Sequence, residues 1–222
     1  MTDDVRVLLV DDQELVRYGL RLVVDSAPGL VVVGEASDGG QAAASAARLR
    51  PDVVLMDVRM PGVGGIEATR LITGSVPGAR VLVLTTYDLD AAAFAALEAG
   101  ASGFLLKDTR PDDLVSAIKA VAYGDAVVSP RITAKLIELA APRLGARGAN
   151  ASAEAALSEL STREREVFVL MGRGATNGEI ALALHVSEST VKAHVGKVLQ
   201  KLELRNRVQA VIRAYELGIA AP

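Results

Sequence analysis

LSTREREVFVLMGRGATNGEIALALHVSESTVKAHVGKVLQKLEL, residues 160–204, holds three short helical patterns separated by tight breaks. Ser161 and Glu164 stand at capping-box spacing, with the hydroxyl at the N-cap and the carboxylate reaching back from the third helical position. Thr176 and Glu179 repeat that signal before the second pattern. The four residues His185-Val186-Ser187-Glu188 then intervene, and Ser187 is the natural N-cap of the third helix. Two helices joined by so short a turn predict a helix-turn-helix. Val191, Val195, Val198, Leu199 and Leu202 of the third pattern fall on one arc of about 100°. Thr190, Ala193, His194, Lys197 and Lys201 lie opposite, with Lys192 at the edge.

Small and basic side chains on a helix with an apolar back suit entry into the DNA major groove. Lysines neutralise phosphates, and Thr190, Ala193 and His194 are small enough to approach base edges. From Ser187 onward there are six Lys+Arg against three Glu, a net of +3. An ordinary amphipathic surface helix has the same period, so the residue order decides. L-S-x-R-E-x-E-V, then T-N-x-E-I-A-x-x-L-x-V-S-E-S-T-V-K-x-H-V, then K-L-x-L-R-N-R-x-Q-A-V closely resembles the LuxR-type helix-turn-helix over about 60 residues. The resemblance implies that the third helix enters the major groove and that a fourth, near 206–217, supports dimerisation on DNA. Gly196 and Gly178 depart from the pattern, which usually carries polar or charged residues there; a mid-helix glycine costs ~1 kcal/mol relative to alanine.

The rest of the 222 residues has a different character. Half are hydrophobic, enough for a buried core, and the absence of cysteine excludes disulfides, thiolate metal sites and a cysteine nucleophile. The start, MTDDVRVLLVDD, is acidic and lacks the basic region of a secretory signal. No apolar run approaches the ~20 residues that span a bilayer. A soluble cytoplasmic protein with no membrane association is expected. Charge is uneven: residues 1–125 hold 11 Lys+Arg against 18 Asp+Glu, a net of −7, while residues 126–222 hold 13 against 9, a net of +4. Two domains with different partners follow, 5–125 and 157–222. Between them lies a 126–156 linker with one possible helix at 132–140 and an Ala/Gly-rich tether beyond it.

Residues 5–125 alternate β-branched runs with helical patterns. Strands are predicted at 5–10, 30–36, 52–57, 80–86 and 103–107, and helices near 13–26, 39–49, 65–74, 89–99 and 112–122. Continuously apolar strands imply burial on both faces, hence a parallel sheet between helices. Five such units fit a doubly wound, flavodoxin-like α/β fold, whose functional groups gather at the carboxyl ends of the strands. Those ends carry Asp11, Asp12, Asp57, Thr85 and Lys107. Each alone has an ordinary structural reading as a cap, a strand residue or a solvated lysine, but their convergence points further. Clustered carboxylates repel unless they share a cation, and hard oxygen ligands suit Mg²⁺. Asp57 then becomes a nucleophile toward phosphorus, with Lys107 and Thr85 stabilising the transferring phosphoryl group.

V-L-L-V-D-D, M-D-V-R-M-P-G-x-x-G, V-L-T-T and G-F-L-L-K-D resemble the receiver domain of two-component response regulators over roughly residues 5–122. The resemblance implies that Asp57 is the phosphoacceptor and that Asp11 and Asp12 are the acidic Mg²⁺ pair. The backbone carbonyl of Arg59 completes the metal shell, Thr85 is the switch hydroxyl, Phe104 the coupled aromatic and Lys107 the phosphate-binding lysine. Gly64 departs from the acidic or amide residue often found before Gly65, and Asp108 follows Lys107 where many receivers have proline, leaving that bond's isomer open.

A flavodoxin-like receiver plus a small all-α helix-turn-helix domain resembles the NarL/FixJ subfamily of response regulators. That implies a DNA-binding transcription regulator, phosphorylated on Asp57 by a sensor histidine kinase, dimeric when active and bound to promoter DNA. It is not expected to be an enzyme. A phosphatase using Asp57 would need a second acid two residues on, where Arg59 stands. A ligand-sensing LuxR-type regulator would not need the phosphorylation set. The remaining alternative is a pseudo-receiver controlled by protein or ligand contact.

Overall fold

Runs rich in valine and leucine become five strands in the computed structural model, which describes residues 4–85, 91–125, 157–204 and 206–219. These are β1 (Val5–Val10), β2 (Leu30–Ala36), β3 (Val53–Asp57), β4 (Arg80–Thr85) and β5 (Gly103–Leu106). All pair in parallel in the order β2-β1-β3-β4-β5. β3 is buried along its whole length and β1 and β4 nearly so, whereas β2, at an edge, is partly exposed. This is the burial that continuous apolar runs require of a sheet covered on both faces.

The covering helices are α1 (Glu14–Ser26), α2 (Gly39–Leu49), α3 (Gly65–Ser75), α4 (Ala91–Glu98) and α5 (Pro111–Ala122). On α5, Leu114, Ala117, Ile118 and Val121 share one face and join a core with Val7, Leu9, Leu55 and Leu82 of the sheet. α5 begins one residue earlier than its periodicity suggests, because proline at the first helical position needs no hydrogen-bond acceptor for its nitrogen. β5 stops at Leu106, so Lys107 leaves the sheet, although its N–H still reaches the Thr85 carbonyl at 2.8 Å. The chain runs from β1 out to β2 and back across to β3. The carboxyl ends of β1 and β3 therefore lie side by side at the point where strand order reverses.

Gly65 sets how closely α3 approaches that edge. A Cβ there would lie 1.8 Å from the Asp57 carbonyl oxygen, and the Gly65 N–H donates to the Val58 carbonyl at 3.0 Å. Only a residue without a side chain fits. Among the described residues no peptide bond is cis, so the Lys107–Asp108 bond is trans.

The chain divides into two units near Tyr123. The described part of the second contains only helices: α6 (Thr162–Gly172), α7 (Asn177–Leu184), α8 (Glu188–Lys201) and α9 (Arg207–Glu216). Both capping boxes form, Ser161 with Glu164 and Thr176 with Glu179, and the Ser187 hydroxyl caps α8. His185 takes a left-handed conformation to end α7, which makes the turn into α8 tight. Val191, Val195 and Val198 are buried against Val167, Phe168, Met171 and Ile180, while Leu199 and Leu202 pack on the same cluster from its margin. The Arg207 guanidinium is buried at the start of α9, where it donates to the Asn177 Oδ1 at 2.8 Å and to the Ala175 carbonyl. No described helix is long and apolar enough to cross a membrane. The 126–156 linker, its candidate helix, Thr86, residues 89–90 of the fourth helical pattern and Arg205 lie outside the described residues.

Two outcomes follow from this packing. Gly65→Ala forces α3 off the β3 edge and lowers stability by about 2 kcal/mol or more in denaturant melts. Gly74→Ala on the same helix meets nothing within 4 Å and is neutral or slightly stabilising. The second outcome concerns Glu164, whose carboxyl is held down to about 2, from an ordinary 4.5, by hydrogen bonds from Lys201 and Ser161. A carboxylate depressed in the fold stabilises it above its ordinary value and loses that effect as pH falls toward the folded value. The melting-temperature gap between wild type and Glu164→Gln therefore narrows between about pH 4.5 and about pH 2; a pH-independent gap contradicts this.

Candidate functional site

Four neighbouring strands deliver side chains to one edge of the sheet. Asp11 and Asp12 follow β1, Asp57 ends β3, Thr85 ends β4 and Lys107 follows β5. One carboxylate oxygen from each of Asp11, Asp12 and Asp57 lies within 4.8 Å of the others. Asp11 and Asp57 are buried, and Asp12 is exposed. The Lys107 ammonium bridges the two buried acids, 2.6 Å from the Asp11 Oδ2 and 3.1 Å from the Asp57 Oδ2.

Burial pushes the Asp57 carboxyl above its ordinary value. Lys107 opposes that rise, the negative charge of Asp11 adds to it, and a hydrogen bond from the Arg59 backbone N–H opposes it again. Burial by itself would lower the Lys107 ammonium, but the two aspartates outweigh it and hold the group above its usual range. Three acids thus surround one ammonium, an excess of oxygen donors that a dication would suit. An all-oxygen donor set of this kind fits Mg²⁺ by ligand chemistry. Thr85 is buried at the end of the strand beside β3, and Phe104 is buried opposite Val83.

Three polar groups of Asp11 are hydrogen-bonded, and the fourth, its Oδ2, has only the ion-pair contact with Lys107. The Asp11 N–H donates to the Ala36 carbonyl at 3.2 Å, and its Oδ1 accepts the Gln13 N–H at 3.0 Å. Its Oδ2 faces Lys107, and its carbonyl accepts from the Arg17 Nη1 at 2.8 Å. Arg17 and its partner Glu35 escape a motif-based reading because neither stands at a strand end. The one sequence signal is their place just after the acidic loop and near the end of the neighbouring strand.

In the helical unit, Thr190, Ala193 and Lys197 are exposed on α8. Lys192 is half-buried, 3.7 Å from the Glu188 carboxylate one turn earlier. His194 is half-buried, and its Nδ1 has no hydrogen-bond partner among the described residues. Lys201 is exposed near the end of the same helix. Its ammonium lies 2.7 Å from the Glu164 Oε2 and 3.0 Å from the Glu159 carbonyl, beside the cap of α6. A Cβ at Gly178 or Gly196 would meet nothing within 4 Å, so packing does not require glycine at either place.

Comparison with known proteins adds lineage to this geometry. Residues 7–119 match the response regulator receiver domain, and residues 158–214 match the bacterial regulatory proteins of the luxR family. The transcriptional regulatory protein YxjL of Bacillus subtilis is 43% identical over 217 residues, covering 98% of both chains. LiaR of the same organism is 37% identical over 211 residues, covering 95% of this chain and 97% of its own. Among solved structures, the response regulator ChrA of a heme-sensing two-component system is 36% identical, with a TM-score of 0.52, and covers 98% of this chain and 99% of its own. A receiver domain and a LuxR-type helical unit thus stand in one chain that relatives match over nearly their whole length, and the protein belongs to the NarL/FixJ subfamily of two-component response regulators, which are DNA-binding regulators of transcription.

Proposed function

We propose that Asp57 is the phosphoacceptor of this regulator and that its phosphorylation controls dimerisation and promoter binding by the helical unit. The observation that carries the reading is the Lys107 ammonium, which bridges Asp11 and Asp57 within the cluster of three carboxylates. A sensor histidine kinase is the donor. An Asp57 carboxylate oxygen attacks phosphorus, the new O–P bond forms, and the bond from phosphorus to the donor's imidazole nitrogen breaks with its electron pair leaving on that nitrogen. Lys107 neutralises charge on the phosphoryl oxygens, and the Thr85 hydroxyl donates to one of them. Asp11, Asp12, Asp57 and the Arg59 carbonyl would hold Mg²⁺, which supplies further compensation for phosphoryl charge when bound.

Thr85 and Phe104 sit on adjacent strands, so a hydroxyl drawn toward the phosphoryl group vacates space into which the Phe104 ring moves. That rearrangement shifts the population toward a dimeric, DNA-binding form. On DNA, Thr190, Ala193 and His194 approach base edges and Lys192, Lys197 and Lys201 meet phosphates, with α8 in the major groove. The functional domains are residues 5–125 and 157–222, joined by the 126–156 linker, in a cytoplasmic protein.

Exposure of the full chain to acetyl phosphate with Mg²⁺ is expected to shift it from monomer to dimer in sedimentation. Its affinity for duplex DNA selected from its own genome should rise about tenfold, a coupling of the ordinary allosteric size, and Asp57→Asn should do neither. Equal dimerisation and equal DNA affinity in both states would instead favour a pseudo-receiver controlled by protein or ligand contact.

A further inference from the structure

The Asp12 carboxylate is the exposed member of the acidic cluster, and among the described residues no ion pair holds it as Lys107 holds Asp11 and Asp57. What is fixed is the peptide that carries it. The Asp11 carbonyl, which is half of the Asp11–Asp12 peptide group, accepts from the Arg17 Nη1 at 2.8 Å. Because a peptide unit is planar, holding that oxygen places the Asp12 nitrogen and Cα, so that only the φ and χ torsions of Asp12 are left to bring its carboxylate to the cluster. Arg17 comes from the second turn of α1 and is itself held: its Nε donates to the Glu35 Oε2 at 3.1 Å. The other Glu35 oxygen accepts from the Arg21 Nε at 2.7 Å. The Arg17 side chain is only 15% exposed, so its guanidinium is confined between β2 and the loop after β1.

We infer that Arg17, clamped by Glu35, is a positioning residue for the divalent cation. Its hydrogen bond to the Asp11 carbonyl locks the Asp11–Asp12 peptide and aims the Asp12 carboxylate into the cluster. This deepens the proposed function and rests on the reading that the cluster takes Mg²⁺. Two effects of removing Arg17 have opposite signs, which makes the inference testable. Loss of a positive charge beside a cation site would, by Coulomb attraction alone, tighten Mg²⁺. Loss of the clamp frees the Asp12 peptide and weakens Mg²⁺, and removal of groups that orient metal ligands costs roughly 10–100-fold in affinity. The carbonyl bond acts on the ligand geometry directly, whereas the charge of Arg17 is already offset by Glu35, so geometry wins.

The test is calorimetric titration of Mg²⁺ into the full chain without any phosphodonor, for wild type, Arg17→Gln, Arg17→Lys and Arg21→Gln, each beside a metal-free thermal melt. Arg17→Gln is expected to weaken Mg²⁺ about tenfold, and Arg17→Lys, which keeps a donor and the charge, should fall between it and wild type. Arg21→Gln also removes a cation from Glu35 but leaves the Asp11 carbonyl bond, and should stay within about twofold of wild type. In acetyl phosphate reactions, the Arg17→Gln adduct should recover as Mg²⁺ is raised, a change in metal requirement and not in maximal yield. Unchanged or tighter Mg²⁺ binding in Arg17→Gln overturns the clamp while leaving the phosphoacceptor reading intact. Equal weakening in Arg21→Gln overturns it too, by showing a general loss of local structure. A wild-type chain that binds no Mg²⁺ overturns the metal reading of the cluster itself, and the clamp with it.

Discussion

Repulsion among three carboxylates at one sheet edge is the constraint on which the rest of the first unit depends. Asp11 and Asp57 are buried, where an unpaired charge costs several kcal/mol or forces neutralisation. The Lys107 ammonium between them is the countercharge the fold supplies. It can stand there because β5 ends one residue short of it, leaving its side chain to turn across the ends of β4 and β3. At the same edge α3 approaches the end of β3 closely, which only glycine at position 65 permits. In this cluster three acids share one lysine, and the proposed binding of a cation answers that imbalance.

Much of this was legible in the residues. The valine- and leucine-rich runs gave strands within a residue of where they stand, because burial on both faces leaves no polar alternation to mislead the reading. Capping was equally readable, since Ser161 with Glu164, Thr176 with Glu179 and Ser187 are local signals that act within one helical turn. Strand-end residues could be paired with one another only through the assumed strand order, and the observed order brings β1, β3, β4 and β5 together.

What stayed hidden depends on side chains meeting across long stretches of sequence. Lys201 reads as one more basic residue on the outward arc of α8, yet its ammonium reaches 37 positions back to Glu164. Helical periodicity assigns a side chain to a face and says nothing of how far a flexible stem bends along it. Arg17 likewise looks like a surface residue of α1, and its bonds to Glu35 and to the Asp11 carbonyl arise from the placement of β2 beside β1. Gly65 was hidden for a different reason, since its requirement comes from the backbone carbonyl oxygen of Asp57 and not from any side chain.

The central claim is that Asp57 accepts a phosphoryl group in the setting made by Asp11, Asp12 and Lys107. It is tested most directly by intact mass after incubation with acetyl phosphate and Mg²⁺, in wild type, Asp57→Asn and Lys107→Ala. The account predicts one added phosphoryl group on the wild type, absent from Asp57→Asn and when Mg²⁺ is chelated, and strongly reduced in Lys107→Ala. A folded wild type that gains no mass, or an adduct that persists in Asp57→Asn, contradicts it.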